Sequence, residues 1–139
     1  MSEYVLDNAV TMAWWFSDEG TAYTENLLER LSNLADSAVV PSIWLYEVTN
    51  VSMLAARKGR ITMAKAITFL ENLTDLPIEV EPPRSRGDVL PVLANLMERH
   101  RLTAYDAAYL EIVIRKNLSL ATLDKALIAA CKILGKTLV

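Results

Sequence analysis

The sequence predicts an α/β fold class, a three-layer α/β/α sandwich with a mainly parallel central sheet. Two observations lead to this prediction: short apolar runs alternate with longer segments of helical spacing, and the short runs are continuously apolar. Continuous apolar strands are typical of parallel sheets that helices cover on both faces. No linker, low-complexity tract or repeat divides the 139 residues, a length that suits one domain. We therefore predict a single domain over residues 1–139.

The first half of the chain is predicted to hold two strands and four helices. Apolar runs identify the strands, and apolar residues at three- and four-residue spacing identify the helices. Pro41 ends the second strand, and Gly59 lies where a helix C-cap is expected. In chain order these elements are strand 4–6, helix 10–15, helix 21–34, strand 38–40, helix 42–58 and helix 62–73.

The second half repeats the alternation of strands and helices. Prolines bound the next strand on both sides, and Gly135 ends the last helix. The closing residues, 137–139, are short and apolar enough to form a last strand. In chain order the elements are strand 77–83, helix 88–99, helix 103–116, strand 118–121, helix 124–134 and strand 137–139.

Composition narrows the class of protein. Apolar residues make up 53% and charged residues 22% of the chain, which excludes a disordered protein. A single cysteine, Cys131, excludes an internal disulfide and suits a reducing compartment. Neither a transmembrane run nor a secretory signal is visible. We therefore expect a cytoplasmic protein with no membrane partner.

Two aspartates are predicted at the carboxyl edge of the sheet, where open parallel sheets bind ligands. Asp7 closes the first strand and Asp124 lies just beyond the strand 118–121. Helix capping is the alternative role for each of them, because aspartate is a favoured N-cap. Asp106 has the same alternative, since it follows Thr103 at the spacing of a capping box.

Glu47 lies where an acid is not expected, on the apolar side of its helix. Its one-turn neighbours include Ile43, Trp44 and Val51, so it lies on the apolar stripe of its helix, with Asn50 three residues further on. An ionised carboxylate there is costly unless something compensates it. The alternative is a partly exposed glutamate bonded to a neighbour.

Four converging carboxylates would repel each other and their pKa values would rise. Mg²⁺ or Mn²⁺ removes that penalty, because hard divalent cations prefer oxygen ligands. The chain offers no rival set: it has one His, one Cys and four Gly, and no phosphate-cradling glycine loop. The net charge of −3 argues mildly against a nucleic-acid partner, but without these four acids 13 acids face 14 bases.

Four runs carry the candidate acids and follow one another along the chain: residues 4–7, residues 40–50, residues 102–110 and residues 120–124. In this order they resemble a PIN-domain ribonuclease of the VapC toxin type. The resemblance spans essentially the whole chain and implies a PIN-like α/β/α domain that binds Mg²⁺ or Mn²⁺. By this resemblance the catalytic and metal-binding acids are Asp7, Glu47, Asp106 and Asp124, with Thr122 as a supporting hydroxyl and Asn50 as a polar residue near the substrate.

The resemblance also implies a reaction and partners. A metal-activated water would cleave RNA and leave 5′-phosphate and 3′-hydroxyl ends, without a histidine base. The implied partners are the RNA substrate, a cognate VapB-type antitoxin and a second copy of the chain in a homodimer. The protein would then be the toxin of a type II toxin–antitoxin pair.

One departure from the family pattern supports an alternative function. The family commonly has Ser or Thr two residues after the first aspartate, whereas this chain has Ala9. The alternative is a catalytically weak PIN-like module that acts by binding a partner or RNA. A phosphoacceptor receiver domain also fits the α/β class, but Asp7 is followed by Asn8 and no acid ends the middle strand.

Clusters of basic and aromatic residues suggest two interaction surfaces. The bases gather mainly at predicted helix ends, where they are usually solvated, but Arg84 and Arg86 lie in a proline-flanked loop and are the predicted RNA phosphate contacts. The aromatic run 14–16, with Trp44 and Tyr46, forms either a wide buried helix face or an apolar surface for a partner.

Overall fold

A computed structural model of the protein describes residues 2–16 and 18–139. Four strands form one parallel sheet in the order β3–β2–β1–β4. The strands are β1 (Ser2–Leu6), β2 (Asp36–Pro41), β3 (Ile78–Glu81) and β4 (Ser119–Ala121). The helices are α1 (Asn8–Trp15), α2 (Ala22–Ser32), α3 (Ile43–Arg57), α4 (Met63–Leu73), α5 (Arg86–His100), α6 (Ala104–Lys116) and α7 (Lys125–Leu134). The predicted α/β fold class is confirmed.

The central strands are buried on both faces of the sheet. Tyr4, Val5 and Leu6 follow one another in β1 and none is more than 1% exposed. Successive side chains of a strand point to opposite faces, so helices must cover both sides of the sheet. This is the physical basis of the continuous apolar pattern in the sequence, and it makes the fold a three-layer sandwich.

The strand register brings the end of β1 beside the end of β4. In this parallel pairing Leu6 lies opposite Ala121, and the next backbone N–H, that of Asp7, donates to the Ala121 carbonyl at 3.0 Å. The chain segments that follow the two strands therefore leave the sheet at the same edge. The candidate site depends on this pairing, because it brings Asp7 beside the segment that follows β4.

Some element boundaries differ from those predicted. Helix α2 ends at Ser32 rather than at 34, because Leu34 adopts a left-handed backbone conformation (φ 57°) and is 63% exposed. Helix α5 begins two residues early, at Arg86, and carries Pro91 inside it. The predicted strand 137–139 is reduced to one parallel bridge between Leu120 and Leu138.

The aromatic run of α1 is used mainly inside the protein. Phe16 is buried, and the Trp15 ring stacks on Phe69 with centroids 4.8 Å apart. The Trp14 indole N–H donates to the Thr24 carbonyl at 2.8 Å. The interpretation as a wide buried helix face is therefore correct for this run.

Within residues 2–16 and 18–139, no helix combines the length and apolar character needed to cross a bilayer.

Candidate active site

Asp7 lies between β1 and α1, at the carboxyl edge of the sheet. Its side chain is only 5% exposed and makes no capping hydrogen bond to α1. The Thr122 hydroxyl instead donates to its Oδ2 at 2.7 Å, across 115 residues of sequence. The side-chain capping interpretation is therefore wrong for Asp7.

Asp124 follows β4 and caps α7. Its Oδ1 accepts the backbone N–H groups of Ala126 at 2.8 Å and Leu127 at 3.0 Å. Its own N–H donates to the Thr122 hydroxyl at 3.0 Å. The capping interpretation is therefore correct for Oδ1 of Asp124. In the part of the chain that the structure describes, Oδ2 accepts no hydrogen bond, so it remains available to a ligand.

Glu47 is half-buried on α3, and a tyrosine of α6 holds it. The Tyr109 hydroxyl donates to Glu47 Oε1 at 2.6 Å. The alternative predicted from the sequence, a partly exposed glutamate bonded to a neighbour, therefore describes the surroundings of Glu47 correctly. Burial raises the pKa of Glu47, while the bond from Tyr109 acts in the opposite direction. Burial and this carboxylate raise the pKa of Tyr109 as well, so the hydroxyl stays protonated and keeps donating.

Asp106 lies in the first turn of α6, one turn before Tyr109. The cap of α6 is made by the Thr103 hydroxyl, which accepts the Asp106 backbone N–H at 3.2 Å. The Asp106 carboxylate makes no reciprocal bond to the helix end within residues 2–16 and 18–139. Its side chain is half-buried, and the neighbouring Thr103 hydroxyl partly offsets the rise that burial causes in its pKa.

The four carboxylates act on one another electrostatically. Burial raises the pKa of Asp7 to about 6 against the opposing bond from Thr122, and the charges of Asp106, Asp124 and Glu47 add to the rise. Burial and the charge of Asp124 also raise the pKa of Asp106. The sequence prediction placed these acids at one sheet edge, and the structure brings them within electrostatic range of each other.

This donor set fits a hard divalent cation. Among the described residues, no Lys, Arg or His forms an ion pair with any of the four carboxylates. The donors are all oxygens, which Mg²⁺ and Mn²⁺ prefer. Within residues 2–16 and 18–139, no group of three or more His, Cys, Asp or Glu side chains is already close enough together to hold a metal ion. A cation would therefore have to draw the carboxylates together, and that would relieve their mutual repulsion.

An open groove of about 860 Å³ runs along α3 beside Glu47. Asn50, the predicted polar residue near the substrate, lines this groove and is exposed. The remaining lining residues include aliphatic, aromatic and basic side chains: Ile43, Leu45, Tyr46, Thr49, Met53, Leu54, Arg57 and Tyr105. The groove is thus continuous with one of the four carboxylates.

Arg84 and Arg86 are not among the residues that line this groove. Arg84 lines a separate cleft of about 200 Å³. Its guanidinium lies 3.4 Å from Glu111 and 3.8 Å from Asp88, so acids already compensate part of its charge. Arg86 is the exposed first residue of α5. Their predicted role as phosphate contacts stays a prediction, and Arg84 is the weaker of the two.

Sequence reasoning assigned no role to Tyr109 or to Tyr105. Tyr109 is 1% exposed and reaches Glu47 across 62 residues of sequence. The available signal was its position three residues after Asp106, on the same helix face. Asn8 Oδ1, next to Asp7, is a buried oxygen without a hydrogen-bond partner in the described part of the chain.

Changing Tyr109 to Phe is expected to weaken Mg²⁺ or Mn²⁺ binding by roughly 10- to 100-fold, the usual effect of removing a partner that orients a ligand. The ring and its packing are kept, and only the hydroxyl that holds Glu47 at 2.6 Å is lost. Calorimetric titration of the metal-free protein measures the change. A Glu47→Gln, Tyr109→Phe double variant no weaker than Glu47→Gln alone would show that Tyr109 acts through Glu47. Unchanged affinity in Tyr109→Phe would contradict this role.

Two solved structures share the fold of this chain. The crystal structure of PAE2754 from Pyrobaculum aerophilum matches with a TM-score of 0.68 and 22% identity, over 93% of this chain and 84% of that one. The crystal structure of VapBC2 from Rickettsia felis, bound to a DNA fragment from its promoter, matches with a TM-score of 0.68 and 16% identity, over 99% and 97% of the two chains. No curated protein sequence matches the chain.

The family model of the PIN domain matches residues 4–133, nearly the whole chain. This protein therefore belongs to the PIN domain family.

Proposed function

We propose that this protein is a nuclease that cleaves RNA with the help of Mg²⁺ or Mn²⁺ and serves as the toxin of a toxin–antitoxin pair. One observation carries the proposal. The charges of Glu47, Asp106 and Asp124 act on Asp7, none of these four carboxylates has a cationic partner among the described residues, and Glu47 lines an open groove. A structural role would pair these charges with Lys or Arg, as the chain does for Asp36 and Glu81.

Each residue has a distinct part in the proposed chemistry. A bound divalent cation would supply a water of lowered pKa and would polarise the phosphoryl oxygens. Asp7 and Asp124 would hold it from the segments after β1 and β4; the Thr122 hydroxyl donates to the Asp7 carboxylate and accepts the Asp124 backbone N–H. Glu47 of α3 and Asp106 of α6 would be the other two ligands, with Tyr109 orienting Glu47. The chain's single histidine lies elsewhere, at the end of α5, so a histidine base has no part in the proposal.

The partners of the proposed toxin follow from its relatives. The similarity to the VapBC2 structure supports a VapB-type antitoxin as a partner. PIN family membership supports nuclease activity, with RNA as the proposed substrate. A homodimer and a cytoplasmic location complete the proposal.

The proposal is tested by a cleavage assay with the purified protein and a mixed-sequence RNA. Cleavage is expected with Mg²⁺ or Mn²⁺, to stop with EDTA, and to leave 5′-phosphate ends. The Asp106→Asn variant is expected to lose at least about 10-fold in rate, because a carboxylate ligand is removed. Asp75→Asn, at an exposed aspartate outside the site, serves as the control. Equal rates in both variants and the parent would contradict the assignment of Asp106.

A catalytically weak binding module is the second candidate, and Ala9 is the observation that favours it. Ala9 is exposed and cannot supply a hydroxyl to Asp7. The Thr122 hydroxyl donates to the Asp7 carboxylate at 2.7 Å, and this support of a candidate ligand favours the nuclease. Metal titration and cleavage measured on the same preparation separate the two candidates: RNA or partner binding without metal-dependent turnover would support the binding module.

A further inference from the structure

Two exposed tyrosines in the groove have no part in the proposed metal chemistry. Tyr46 is 69% exposed and Tyr105 is 59% exposed, and both line the groove beside Glu47. Tyr46 directly precedes Glu47, and Tyr105 directly precedes Asp106. Each aromatic ring is therefore attached to the backbone next to a candidate metal ligand. Rings exposed to this degree leave apolar surface in water that a bound partner can cover.

We propose that this groove binds unpaired nucleobases, which stack on Tyr46 and Tyr105 beside the phosphate to be cleaved. The proposal rests on the proposed nuclease function and assigns to Tyr46 and Tyr105 the positioning of its substrate. Stacking on aromatic side chains is a sequence-tolerant way to hold single-stranded nucleic acid, because every base has a π-face. Bases in a duplex are already stacked on each other and cannot use such rings.

The polar and charged residues of the groove favour a nucleotide as occupant. Asn50 is exposed in the groove, and its side-chain amide can both donate to and accept from the edge of a base. Arg57 lines the same groove ten residues further along α3 than Glu47, or about 15 Å along the helix axis. Within residues 2–16 and 18–139, Arg57 forms no ion pair.

The groove therefore holds a cation for a backbone phosphate at Arg57 and a candidate metal ligand at Glu47, on different turns of α3. The volume of about 860 Å³ falls within the usual range of pockets for small organic ligands, roughly 300–1,000 Å³. The aliphatic residues Leu45 and Leu54 are also exposed in the groove. The binding of an apolar peptide would depend on these two leucines, whereas the binding of stacked bases would depend on the two tyrosine rings. Substitutions at these positions therefore distinguish the two kinds of occupant.

The test measures RNA binding in an Asp7→Asn background, which limits cleavage during the measurement. Fluorescence anisotropy reports the Kd for a labelled, unstructured RNA of mixed sequence and for the duplex formed with its complement. The variants are Tyr46→Ala, Tyr105→Ala, their Phe counterparts, Leu45→Ala inside the groove and Ile133→Ala outside it. Ile133 is a suitable control because it is 75% exposed on α7.

Each Tyr→Ala change is expected to raise the Kd for single-stranded RNA by roughly 5- to 100-fold. The Phe variants keep the ring and are expected to bind as the background does, as are Leu45→Ala and Ile133→Ala. The proposal is overturned if the Ala variants bind single-stranded RNA unchanged, if the Phe variants lose as much as the Ala variants, or if Leu45→Ala loses as much as they do.

The outcomes also separate this proposal from the proposed function. A parent protein that cleaves RNA, with Tyr→Ala variants that bind it unchanged, would overturn base stacking and leave the nuclease function. A parent protein that does not cleave RNA, but whose RNA binding depends on both rings, would overturn the nuclease function and support base stacking.

Discussion

Replacing Asp7 with Asn is expected to lower metal-dependent RNA cleavage by at least about 100-fold while the fold is kept. Asp7 is the most buried of the four carboxylates, at 5% exposed. Asparagine has the same shape and can still accept the Thr122 hydrogen bond, but it lacks the negative charge that a cation requires. Removing even an outer partner of a ligand costs about 10- to 100-fold in metal affinity or activity, so losing a buried ligand should cost more.

The measurement is the initial rate on one RNA at saturating Mg²⁺ or Mn²⁺, with circular dichroism to verify the fold. Asp75→Asn is the matched control, because Asp75 is an exposed aspartate outside the site. It is expected to cleave at the parent rate. Parent-level cleavage by Asp7→Asn would remove Asp7 from the proposed metal site.

The same substitution is expected to make the metal-free protein more stable at neutral pH, by up to about 3 kcal/mol. Burial raises the pKa of Asp7 from its usual 3.8 to about 6, which means that the folded protein resists ionisation of this group. The folded state therefore binds the Asp7 proton more tightly than the unfolded chain does. Above about pH 6 the ionised group lowers the free energy of unfolding, and asparagine removes that cost.

The sign of the pH dependence follows from the same shift. Because Asp7 releases its proton near pH 4 when unfolded and near pH 6 when folded, its contribution to the free energy of unfolding falls as pH rises between these values. Salt-bridged Asp36 and Glu81 have lowered pKa values, so their contribution is lost only when pH falls through the acidic range. Between about pH 5 and 7.5, the change in the free energy of unfolding therefore comes mainly from the carboxylates of the site.

Denaturant unfolding in EDTA at these two pH values measures the effect. The parent protein is expected to be more stable at about pH 5 than at about pH 7.5, by roughly 1–2 kcal/mol, and Asp7→Asn should lose most of this difference. Adding Mg²⁺ or Mn²⁺ at the higher pH should stabilise the parent more than the variant, since the cation binds the folded state. A parent protein with no pH dependence in this window would contradict a raised pKa for Asp7.

The sequence was most informative where the determinants are local. The continuous apolar run 4–6 predicted a strand buried on both faces, and β1 is such a strand. The strand-to-helix transition at Asp7 and the helix start after Asp124 were visible because caps and strand ends depend on neighbouring residues. Boundaries that depend on backbone conformation, such as the left-handed residue Leu34 after α2, were placed two residues away.

The candidate site was predictable only in outline. Strand order and parallel direction place Asp7 and Asp124 at one edge, and alternating strands and helices indicated that arrangement. The sequence left open whether each aspartate caps a helix or serves a ligand. The structure gives different answers, because Asp124 accepts two helix N–H groups while Asp7 accepts only the Thr122 hydroxyl among the described side chains.

By itself, the sequence predicted the fold class from composition and local periodicity, and its resemblance to the PIN-domain family indicated the four acids and the oxygen-rich character of the site. The tertiary structure decided which groups orient those acids and what borders them. The bonds from Thr122 to Asp7 and from Tyr109 to Glu47 join residues 115 and 62 positions apart. The groove likewise pairs Tyr46 of α3 with Tyr105 of α6. Such contacts arise only when separate elements pack together, so no local pattern could have indicated them.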